Sequence, residues 1–398
     1  MKKYLLTVFL IILSLCFFDI QNLTAQSDTS LPDLIPYRKG DLWGFCNRKK
    51  EIFIPCKYDA AWLFSEELAI VELNNKFGFV DKEGKVIIPI IYDWASPFKA
   101  GLALVKQKEK YGFIDKRNKQ IVPVKYDYIE ESSFSEGYAK VEINDKFGFV
   151  NKSGKEIISC KYDDAGNFHN ELAMIKLKDK YGFIDSKGKE VVPLIYDYTW
   201  DFKDGLAVVE LNGKCGFIDN KGTEIIPFKF DAAWNFYEGL ASVKLNDKYG
   251  FIDIKGDLVI PFKYDLAFSF IEGLTGVKLN NKWGFIDTQG RVVIPIIYDM
   301  AFGFKDGYAI VALYKYFGII NKEDNEVIPF KYNDILPFSE GLAKVKLINK
   351  WGFVDKEGKE VIPLKYDNVS YLYEGLASVE LNGKKGYIDK NGIEYWEE

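Results

Sequence analysis

Acidic residues recur at two fixed positions along the chain, and paired carboxylates could cleave glycosides or hold calcium. One position follows a tyrosine or phenylalanine and holds Asp59, Asp93, Asp127, Asp163, Asp197, Asp231, Asp265, Asp299 and Asp367, with Asn333 in one unit. The other holds Asp81, Asp115, Asp185, Asp219, Asp253, Asp287, Asp355 and Asp389, with Asn47, Asn151 and Asn321. Asparagine keeps the oxygen acceptor of aspartate but lacks its charge. We therefore expect both columns to accept backbone N–H groups at turns, and the sequence has no Asp-x-Asp-x-Asp-Gly calcium loop.

The other residues that could do chemistry are few and scattered. His169 is the only histidine, so no second histidine is present to complete a metal site. Four cysteines follow the N-terminal segment, at Cys46, Cys56, Cys160 and Cys215. Their spacing matches no zinc motif, and we expect mostly unpaired, buried thiols. With no phosphate-binding loop, nucleophile elbow or His-Glu-x-x-His motif, the sequence predicts no enzyme activity and no cofactor.

The charge pattern argues against a nucleic-acid partner. The chain has 53 basic and 58 acidic residues, a formal net charge of -5, and the two signs are well mixed. No basic cluster offers a landing site for phosphates. A hydrophobic fraction of 48% is ample for a folded protein.

One variable position carries a pattern of aromatic residues. It lies four residues after the recurring tyrosine or phenylalanine and holds Trp62, Trp200, Trp234, Phe268 and Phe302. Other repeats have Gly166, Leu336 or Ser370 there. Because repeats place equivalent residues in register, the five aromatic side chains are expected to form a stripe. The stripe either packs between repeats or binds a protein or glycan partner through open aromatic faces.

All these positions belong to a tandem repeat whose most regular residue is a glycine. It recurs at Gly44, Gly78, Gly112, Gly148, Gly182, Gly216, Gly250, Gly284, Gly318, Gly352 and Gly386. Nine of the ten intervals are 34 residues and one is 36. Each repeat must then be one structural unit that packs on its neighbours.

A single repeat, residues 205–231, indicates β-structure. Alternating residues from Gly205 lead to Asn212-Gly213, a strong hairpin signal, and then to a second strand. A third strand is predicted to end at Pro227, which lacks a ladder donor. The central glycine, Gly216 here, lies inside a strand, where we expect a neighbouring aromatic ring to pack on its backbone. Recurrent glycine and proline make the segments too short for a helical-hairpin repeat.

The recurring motif is that of a known family. The chain resembles the bacterial WG-repeat family, whose Trp-Gly pair is kept at Trp43-Gly44, Trp283-Gly284 and Trp351-Gly352. The resemblance runs from Leu34 to the C-terminus, although most repeats use phenylalanine or tyrosine for the tryptophan. It implies an all-β repeat protein, often exported, with no defined enzymatic activity, and it supplies no site residues.

These observations predict an all-β fold of three-stranded antiparallel meanders in an open superhelical array, a solenoid. The alternative is two five-bladed, propeller-like rings. Propellers typically have four to eight blades, each of four strands and about 40 residues or more, so one ring of about ten and a half three-stranded, 34-residue units is disfavoured. The array is expected to span residues 27–398 as about ten and a half repeats, with the first repeat acting as an N-terminal cap.

Residues 1–26 read as a secretory signal peptide with a lysine-containing start and an apolar run over residues 4–18. That run is shorter than the ~20 residues that span a bilayer, and no later segment suggests a membrane span. A lipoprotein anchor at Cys16 is disfavoured because the preceding Leu15 is large. We therefore expect export to the periplasm or outer surface of a Gram-negative bacterium.

The sequence leaves two functions to compare. The first is a non-catalytic exported scaffold for protein–protein interaction, because repeat arrays present long continuous surfaces. The second is a cell-surface carbohydrate-binding module that uses the aromatic stripe.

Overall fold

The computed structural model describes residues 31–130 and 134–397. The predicted signal peptide, residues 1–26, and Cys16 lie outside this part of the chain. These described residues divide into two compact units, one with residues 33–130, 134–296 and 395–397, the other with residues 31–32 and 297–394. All regular elements among the described residues are β-strands, so the all-β prediction is confirmed.

In the first unit, the strands are β1 (Ile35–Lys39), β2 (Leu42–Cys46), β3 (Ile52–Tyr58), β4 (Ala60–Ser65), β5 (Leu68–Leu73), β6 (Lys76–Val80), β7 (Val86–Tyr92), β8 (Trp94–Ala95), β9 (Leu102–Gln107), β10 (Lys110–Asp115), β11 (Gln120–Tyr126), β12 (Tyr128–Ile129), β13 (Tyr138–Ile143), β14 (Lys146–Asn151), β15 (Glu156–Tyr162), β16 (Asp164–His169), β17 (Leu172–Leu177), β18 (Lys180–Asp185), β19 (Glu190–Tyr196), β20 (Tyr198–Thr199), β21 (Leu206–Leu211), β22 (Lys214–Asp219), β23 (Glu224–Phe230), β24 (Ala232–Ala233), β25 (Leu240–Leu245), β26 (Lys248–Asp253), β27 (Leu258–Tyr264), β28 (Leu266–Ala267), β29 (Leu274–Leu279) and β30 (Lys282–Asp287). The unit boundary falls within β31 (Val292–Tyr298).

The second unit continues with β32 (Met300–Ala301), β33 (Tyr308–Leu313), β34 (Tyr316–Asn321), β35 (Glu326–Tyr332), β36 (Asp334–Ser339), β37 (Leu342–Leu347), β38 (Lys350–Val354), β39 (Glu360–Tyr366), β40 (Asn368–Val369), β41 (Leu376–Leu381) and β42 (Lys384–Asp389). The C-terminal strand β43 (Trp396–Glu397) belongs to the first unit.

Each full repeat forms a four-stranded antiparallel sheet, not the predicted three-stranded meander. The sixth sheet has the order β20-β21-β22-β23. Its short first strand comes from the segment that the sequence suggested was a connector, because Tyr198 pairs with Glu210 and Thr199 pairs with Val209. A strand of two residues leaves almost no alternating pattern to recognise. Ten sheets have four strands and the last, β40-β41-β42, has three.

The first sheet corrects the predicted open solenoid. Its order is β3-β2-β1-β43, and β43 pairs in parallel with β1 through Arg38 and Trp396. An open array would leave that edge of β1 unpaired. Two five-bladed rings would complete the first sheet with a strand from the middle of the chain. Both predictions are therefore wrong, and the topology is that of an eleven-bladed β-propeller of four-stranded sheets.

Pro227 bends its strand without ending it. Phe217 pairs with Ile226, and two residues earlier Cys215 pairs with Phe230, so the fourth strand carries a bulge around the proline. The sequence-based prediction that pairing stops at Pro227 was wrong, because the proline lies exposed at a sheet edge, where no donor is needed.

The central glycine of a repeat lies against the proline-containing part of the fourth strand of its own sheet. A Cβ atom added to Gly284 would lie 2.7 Å from the Ile294 oxygen, the Ile296 Cα and the Pro295 oxygen. The predicted close approach is therefore present. Bulged backbone makes it at Gly284, and at Gly216 the Cδ1 atom of the Phe228 ring also lies 3.0 Å from the added Cβ position.

The hydrophobic core lies between consecutive sheets. In one cluster, Phe217 and Ile226 of one sheet pack with Phe236 and Val243 of the next, and all four are buried. The rings of Phe217 and Phe236 are 5.0 Å apart, and the corresponding pairs Phe79–Phe98 and Phe251–Phe270 are both 4.9 Å apart. Each repeat thus buries its apolar face only against its neighbours.

Candidate functional site

The first acidic column joins one sheet to the hairpin of the next. The Oδ2 atom of Asp231 accepts the backbone N–H of Asn246 at 2.8 Å, and its Oδ1 atom accepts from Lys214 Nζ at 2.6 Å. Asn333 retains the first contact, because its Oδ1 atom accepts the Ile348 N–H at 2.8 Å. The carboxylates therefore shape turns, as the Asp-to-Asn exchange indicated.

The electrostatics of this column do not suit acid catalysis. Hydrogen bonds from lysine lower the pKa of seven of its carboxyl groups below 3.8, those of Asp93, Asp127, Asp163, Asp197, Asp231, Asp265 and Asp367. A general acid needs a pKa raised towards neutral pH. These groups remain ionised and paired with a cation.

The second acidic column shapes the turn between the third and fourth strands. Asp219 Oδ1 accepts the N–H groups of Lys221 at 2.9 Å and of Thr223 at 2.8 Å. Asn151 accepts the equivalent N–H groups of Ser153 and Lys155, both at 3.0 Å. The turn role inferred from the sequence is therefore observed with either residue type.

A further set of carboxylates, which the sequence analysis missed, links consecutive repeats. Glu238 Oε2 accepts the N–H of Gly273 at 2.9 Å, and Glu340 makes the same contact to Gly375 at 2.9 Å. The acidic residues sit at positive φ in the turn between the first and second strands, 52° at Glu238 and 50° at Glu340. The recurring Glu-Gly pair was the available signal.

The structure places the five aromatic residues of the predicted stripe at equivalent half-buried positions. Trp62, Trp200, Trp234 and Phe268 lie in the unit of residues 33–296, and Phe302 lies in the unit of residues 297–394. Trp200 and Trp234 contact each other with ring centroids 5.9 Å apart. Trp62 contacts Phe77 at 5.5 Å, and Phe268 stacks on Trp283 at 4.7 Å. Trp62, Trp200, Trp234 and Phe302 also pack against hydrophobic clusters, so packing between repeats accounts for much of their surface.

A polar cluster lies beside Trp200. Burial raises the pKa of Asp201, opposed by the charges of His169 and Lys140. The Asn235 amide donates to the Asp201 carbonyl oxygen at 3.3 Å. A Cβ atom at Gly166 would lie 3.1 Å from Asp201 Oδ1, so this glycine leaves room for the carboxylate. Glycine at a position that is aromatic in other repeats was the sequence signal for this cluster.

One cavity in the described part of the chain is much smaller than a typical small-molecule site. A cavity beside Phe302 and Phe338 has a volume of about 30 Å³, whereas small-molecule pockets occupy about 300–1,000 Å³. Residues 31–130 and 134–397 contain no group of three His, Cys, Asp or Glu side chains able to hold a metal ion. No helix in the same ranges is long and apolar enough to cross a membrane.

The four described cysteines are free thiols, as predicted. Cys46 and Cys215 are buried, while Cys56 and Cys160 are half-buried. Burial raises the pKa of Cys46 to about 12 and those of Cys160 and Cys215 to about 11. A raised pKa disfavours the thiolate, which is the nucleophilic form of cysteine.

Comparison with solved structures gives only weak similarity. A eukaryotic initiation factor matches 82% of this chain and 94% of its own, with 12% identity and a TM-score of 0.40. The extracellular domain of a hybrid two-component system from B. thetaiotaomicron matches 92% of this chain and 64% of its own, with 10% identity and a TM-score of 0.24. PorZ, a surface component of the type-IX secretion system of Porphyromonas gingivalis, matches 84% of this chain and 57% of its own, with 9% identity and a TM-score of 0.27. TM-scores below 0.5 do not establish a shared fold.

Sequence comparison is decisive for the family. No curated protein matches the chain. The profile of the WG containing repeat matches ten times in tandem, at residues 43–77, 77–111, 111–147, 147–181, 181–215, 216–249, 249–283, 283–314, 317–351 and 351–384. These matches follow the spacing of the central glycine and cover most of the chain. The chain therefore belongs to the WG containing repeat family.

Proposed function

We propose that this protein is a non-catalytic, exported scaffold that binds other proteins. The observation that carries the proposal is the contrast between its constant framework and its variable exposed turns. In every repeat, an Asp or Asn holds the turn between the second and third strands or the turn that follows. After the first repeat, however, the first residue of the exposed hairpin turn is Asn, Lys, Tyr or Ile. A constant framework that displays different side chains suits recognition of a partner.

The absence of a catalytic role is part of the proposal. Recurring carboxylates are engaged by backbone N–H groups and lysines, and burial raises the pKa values of the thiols. His169 is exposed, and its charge interacts with Asp201. This arrangement lacks the nucleophile, base and orienting group that act together in hydrolases.

The proposed location is the periplasm or outer surface of a Gram-negative bacterium. Its support is the predicted signal peptide of residues 1–26. We expect the partner to be a protein of the cell envelope or an extracellular protein.

An envelope binding experiment tests this function. The tagged full chain is incubated with periplasmic and outer-membrane fractions of the source bacterium, and each captured protein is then purified. We expect at least one purified protein to bind with a Kd below about 100 μM, the range of specific though transient contacts. If no purified protein binds, or if the chain hydrolyses an envelope substrate, the scaffold proposal is wrong.

A second function, carbohydrate binding, is favoured by one local arrangement. Tyr198, Trp200 and Trp234 form a continuous aromatic group, with ring centroids 5.1 and 5.9 Å apart. Asp201 and Asn235 follow the two tryptophans and could supply polar contacts to sugar hydroxyls. We expect a glycan-array signal that disappears in the double variant Trp200→Ala/Trp234→Ala. A Trp62→Ala variant is the matched control, and a blank array would exclude the carbohydrate function.

A further inference from the structure

The turn between the second and third strands of each repeat favours particular residues. After the first repeat, both of its central residues have positive φ, for example 50° at Asn280 and 65° at Asn281. Asparagine and glycine tolerate this conformation best. The first central residue is asparagine or lysine in eight turns, at Asn74, Lys108, Asn144, Lys178, Asn212, Asn246, Asn280 and Asn382.

Two consecutive repeats break this rule with large apolar residues. Tyr314 has a φ of 51° and Ile348 has a φ of 48°. A β-branched residue is strongly disfavoured in the left-handed region, because its side chain crowds the backbone. Local folding therefore does not explain the choice of isoleucine at this turn.

Packing within the chain does not explain these residues either. The exposed fraction of the side chain is 79% at Tyr314 and 81% at Ile348, and Tyr316 is 46% exposed. Large apolar side chains held out in water at strained turns gain no stability from burial. Strained residues of this kind concentrate at functional sites.

A lysine–aspartate ion pair that recurs in other repeats is missing next to Tyr314 and Ile348. In seven other repeats a lysine at the start of the third strand contacts the aspartate seventeen residues later, as Lys248 contacts Asp265 at 2.6 Å and Lys350 contacts Asp367 at 2.5 Å. Tyr316 occupies the lysine position and Asn333 occupies the aspartate position. Both charges are absent together, while Asn333 still accepts the Ile348 N–H at 2.8 Å.

These contacts bring the substituted positions together. Tyr316 follows Tyr314 by two residues in one hairpin, and it stands where lysines of other repeats reach the position of Asn333. Asn333 in turn bonds the turn that carries Ile348. The result is a patch of four uncharged residues, Tyr314, Tyr316, Asn333 and Ile348, together with the exposed and charged Lys315. We refer to it as the tip patch.

We propose that the tip patch inserts Tyr314 and Ile348 into an apolar pocket of a protein partner whose rim carries carboxylates. This inference rests on the proposed scaffold function and names the surface that performs it. Rigid aromatic and aliphatic side chains are effective interface anchors, because little conformational entropy is lost on binding. Lys315 supplies the positive charge that an acidic rim would pair with, while the joint loss of lysine at Tyr316 and aspartate at Asn333 leaves the local net charge unchanged.

Two other occupants fit less well. A second copy of the chain would meet the patch with the same Lys315, and the two positive charges would repel each other. A lipid surface would receive only two or three apolar side chains, when a single fourteen-carbon acyl chain already gives only marginal binding. An apolar pocket in a protein partner would surround the side chains of Tyr314 and Ile348 and bury more of their surface than a lipid surface would.

Site-specific photocrosslinking and affinity measurement test the proposal on the full chain. A p-benzoylphenylalanine is placed at residue 314 and, as the matched control, at the exposed turn residue 212, and both proteins are irradiated in cells of the source bacterium. We expect one protein to crosslink at residue 314 and not at 212. The purified partner should bind the unmodified chain, and Tyr314→Asn/Ile348→Asn should weaken its Kd at least tenfold.

A stability measurement separates recognition from folding. The double variant restores the asparagine of other turns, so its Tm should equal or exceed that of the original chain. Lys315→Glu should weaken partner binding and remove part of its salt dependence.

Several outcomes would overturn the inference. A partner that binds the double variant unchanged would leave the scaffold function standing but exclude the tip patch. A lower Tm in the double variant would assign these residues a structural role. Binding to phosphatidylcholine–phosphatidylglycerol vesicles that needs the same residues, with no crosslinked protein, would indicate a lipid surface. Absence of any protein partner would remove both the inference and the scaffold function.

Discussion

At the scale of single residues, the interaction that recurs from repeat to repeat is a hydrogen bond from turn N–H groups to an Asp or Asn side chain. Asp287 Oδ1 accepts the N–H groups of Gln289 and Arg291 at 3.0 and 2.9 Å. Its Oδ2 atom also accepts from Arg291 Nε at 2.6 Å, but that guanidinium is 74% exposed. The neutral acceptor therefore matters more than the charge.

Exchange of this acid for its amide should be nearly neutral. We expect Asp287→Asn to lower the free energy of unfolding by less than about 1 kcal/mol, because one oxygen acceptor remains. Asp287→Ala should cost about 1–3 kcal/mol, because two N–H groups lose their acceptor. Urea denaturation at neutral pH measures both. Equal losses in the two variants, or loss of partner binding by a fully folded Asp287→Asn protein, would show that the charge itself has a function.

The central glycine supports a stronger prediction at the same scale. A side chain at Gly284 would meet three backbone atoms 2.7 Å away, and backbone in a bulge cannot easily move. We expect Gly284→Val to destabilise the protein by about 3 kcal/mol or more. The control is Gly213→Ala, whose Cβ would meet nothing within 4 Å and whose φ of 74° should cost only about 1–2 kcal/mol. Similar melting temperatures for the two variants would contradict the close-approach explanation.

At the scale of elements, lysine–aspartate pairs connect the third strand of one sheet to the start of the next sheet. Lys146 contacts Asp163 and Lys180 contacts Asp197, each at 2.5 Å. The lysine hydrogen bond is the main cause of the lowered pKa at both aspartates, followed by a backbone N–H bond. Since both carboxylates are at the surface, the effect of any single pair is small and decreases with salt.

Because of these pairs, we expect the free energy of unfolding to decrease at acidic pH. A carboxyl group whose pKa is lowered by folding stabilises the native state above its unfolded pKa, and this contribution is lost as pH falls through the folded pKa. We expect the urea midpoint to be flat from pH 7 to 5 and to fall below about pH 4, starting from the ordinary value of 3.8. Asp163→Asn/Asp197→Asn should make that fall shallower. If the urea midpoint of the double variant fell just as steeply at low pH, other titrating groups would be responsible for the loss of stability.

The sequence was informative about elements wherever a local signal existed. Asn212-Gly213 marks a hairpin and its flanking strands pair as expected, from Leu206 with Asp219 to Leu211 with Lys214. The two-residue strand Tyr198–Thr199 has no such signal, because it exists only through its pairing with the second strand. The polar cluster around Asp201 likewise forms only where residues of three repeats come into contact. In the sequence, its single indication was Gly166 at a position that is aromatic in other repeats.

At the scale of the whole molecule, the feature that sequence periodicity could not reveal is the completion of the first sheet. Strand β43 contributes two residues, and the buried Tyr395 precedes them. The Gly40 N–H donates to the Glu397 carbonyl oxygen at 3.0 Å, and Lys39 forms an ion pair with Glu397, also at 3.0 Å. A repeat period is the same for an open array and a closed ring, so only this pairing decides between them.

Removal of this strand should destabilise the protein out of proportion to its length. We expect a chain ending at Glu394 to lose the burial of Tyr395 and to expose the edge of β1, which lowers the Tm and promotes aggregation. Thermal unfolding with light scattering measures both effects, and a chain lacking only Glu398 is the matched control. A second variant, Glu397→Ala, should give a smaller loss, because the backbone pairing remains. Identical melting of the truncated and intact chains would contradict the role of β43.

The pairing of β43 with β1 also sets an order of events in folding. Tyr37 donates a hydrogen bond to Glu397, 360 positions later. Other sheets need only residues of one repeat and its neighbours, so they can form while the rest of the chain is still being made. The N-terminal sheet, synthesised first, has to wait for the final residues and meets the largest loop-closure entropy in the molecule. Its open edge is therefore the segment most exposed to mispairing during synthesis.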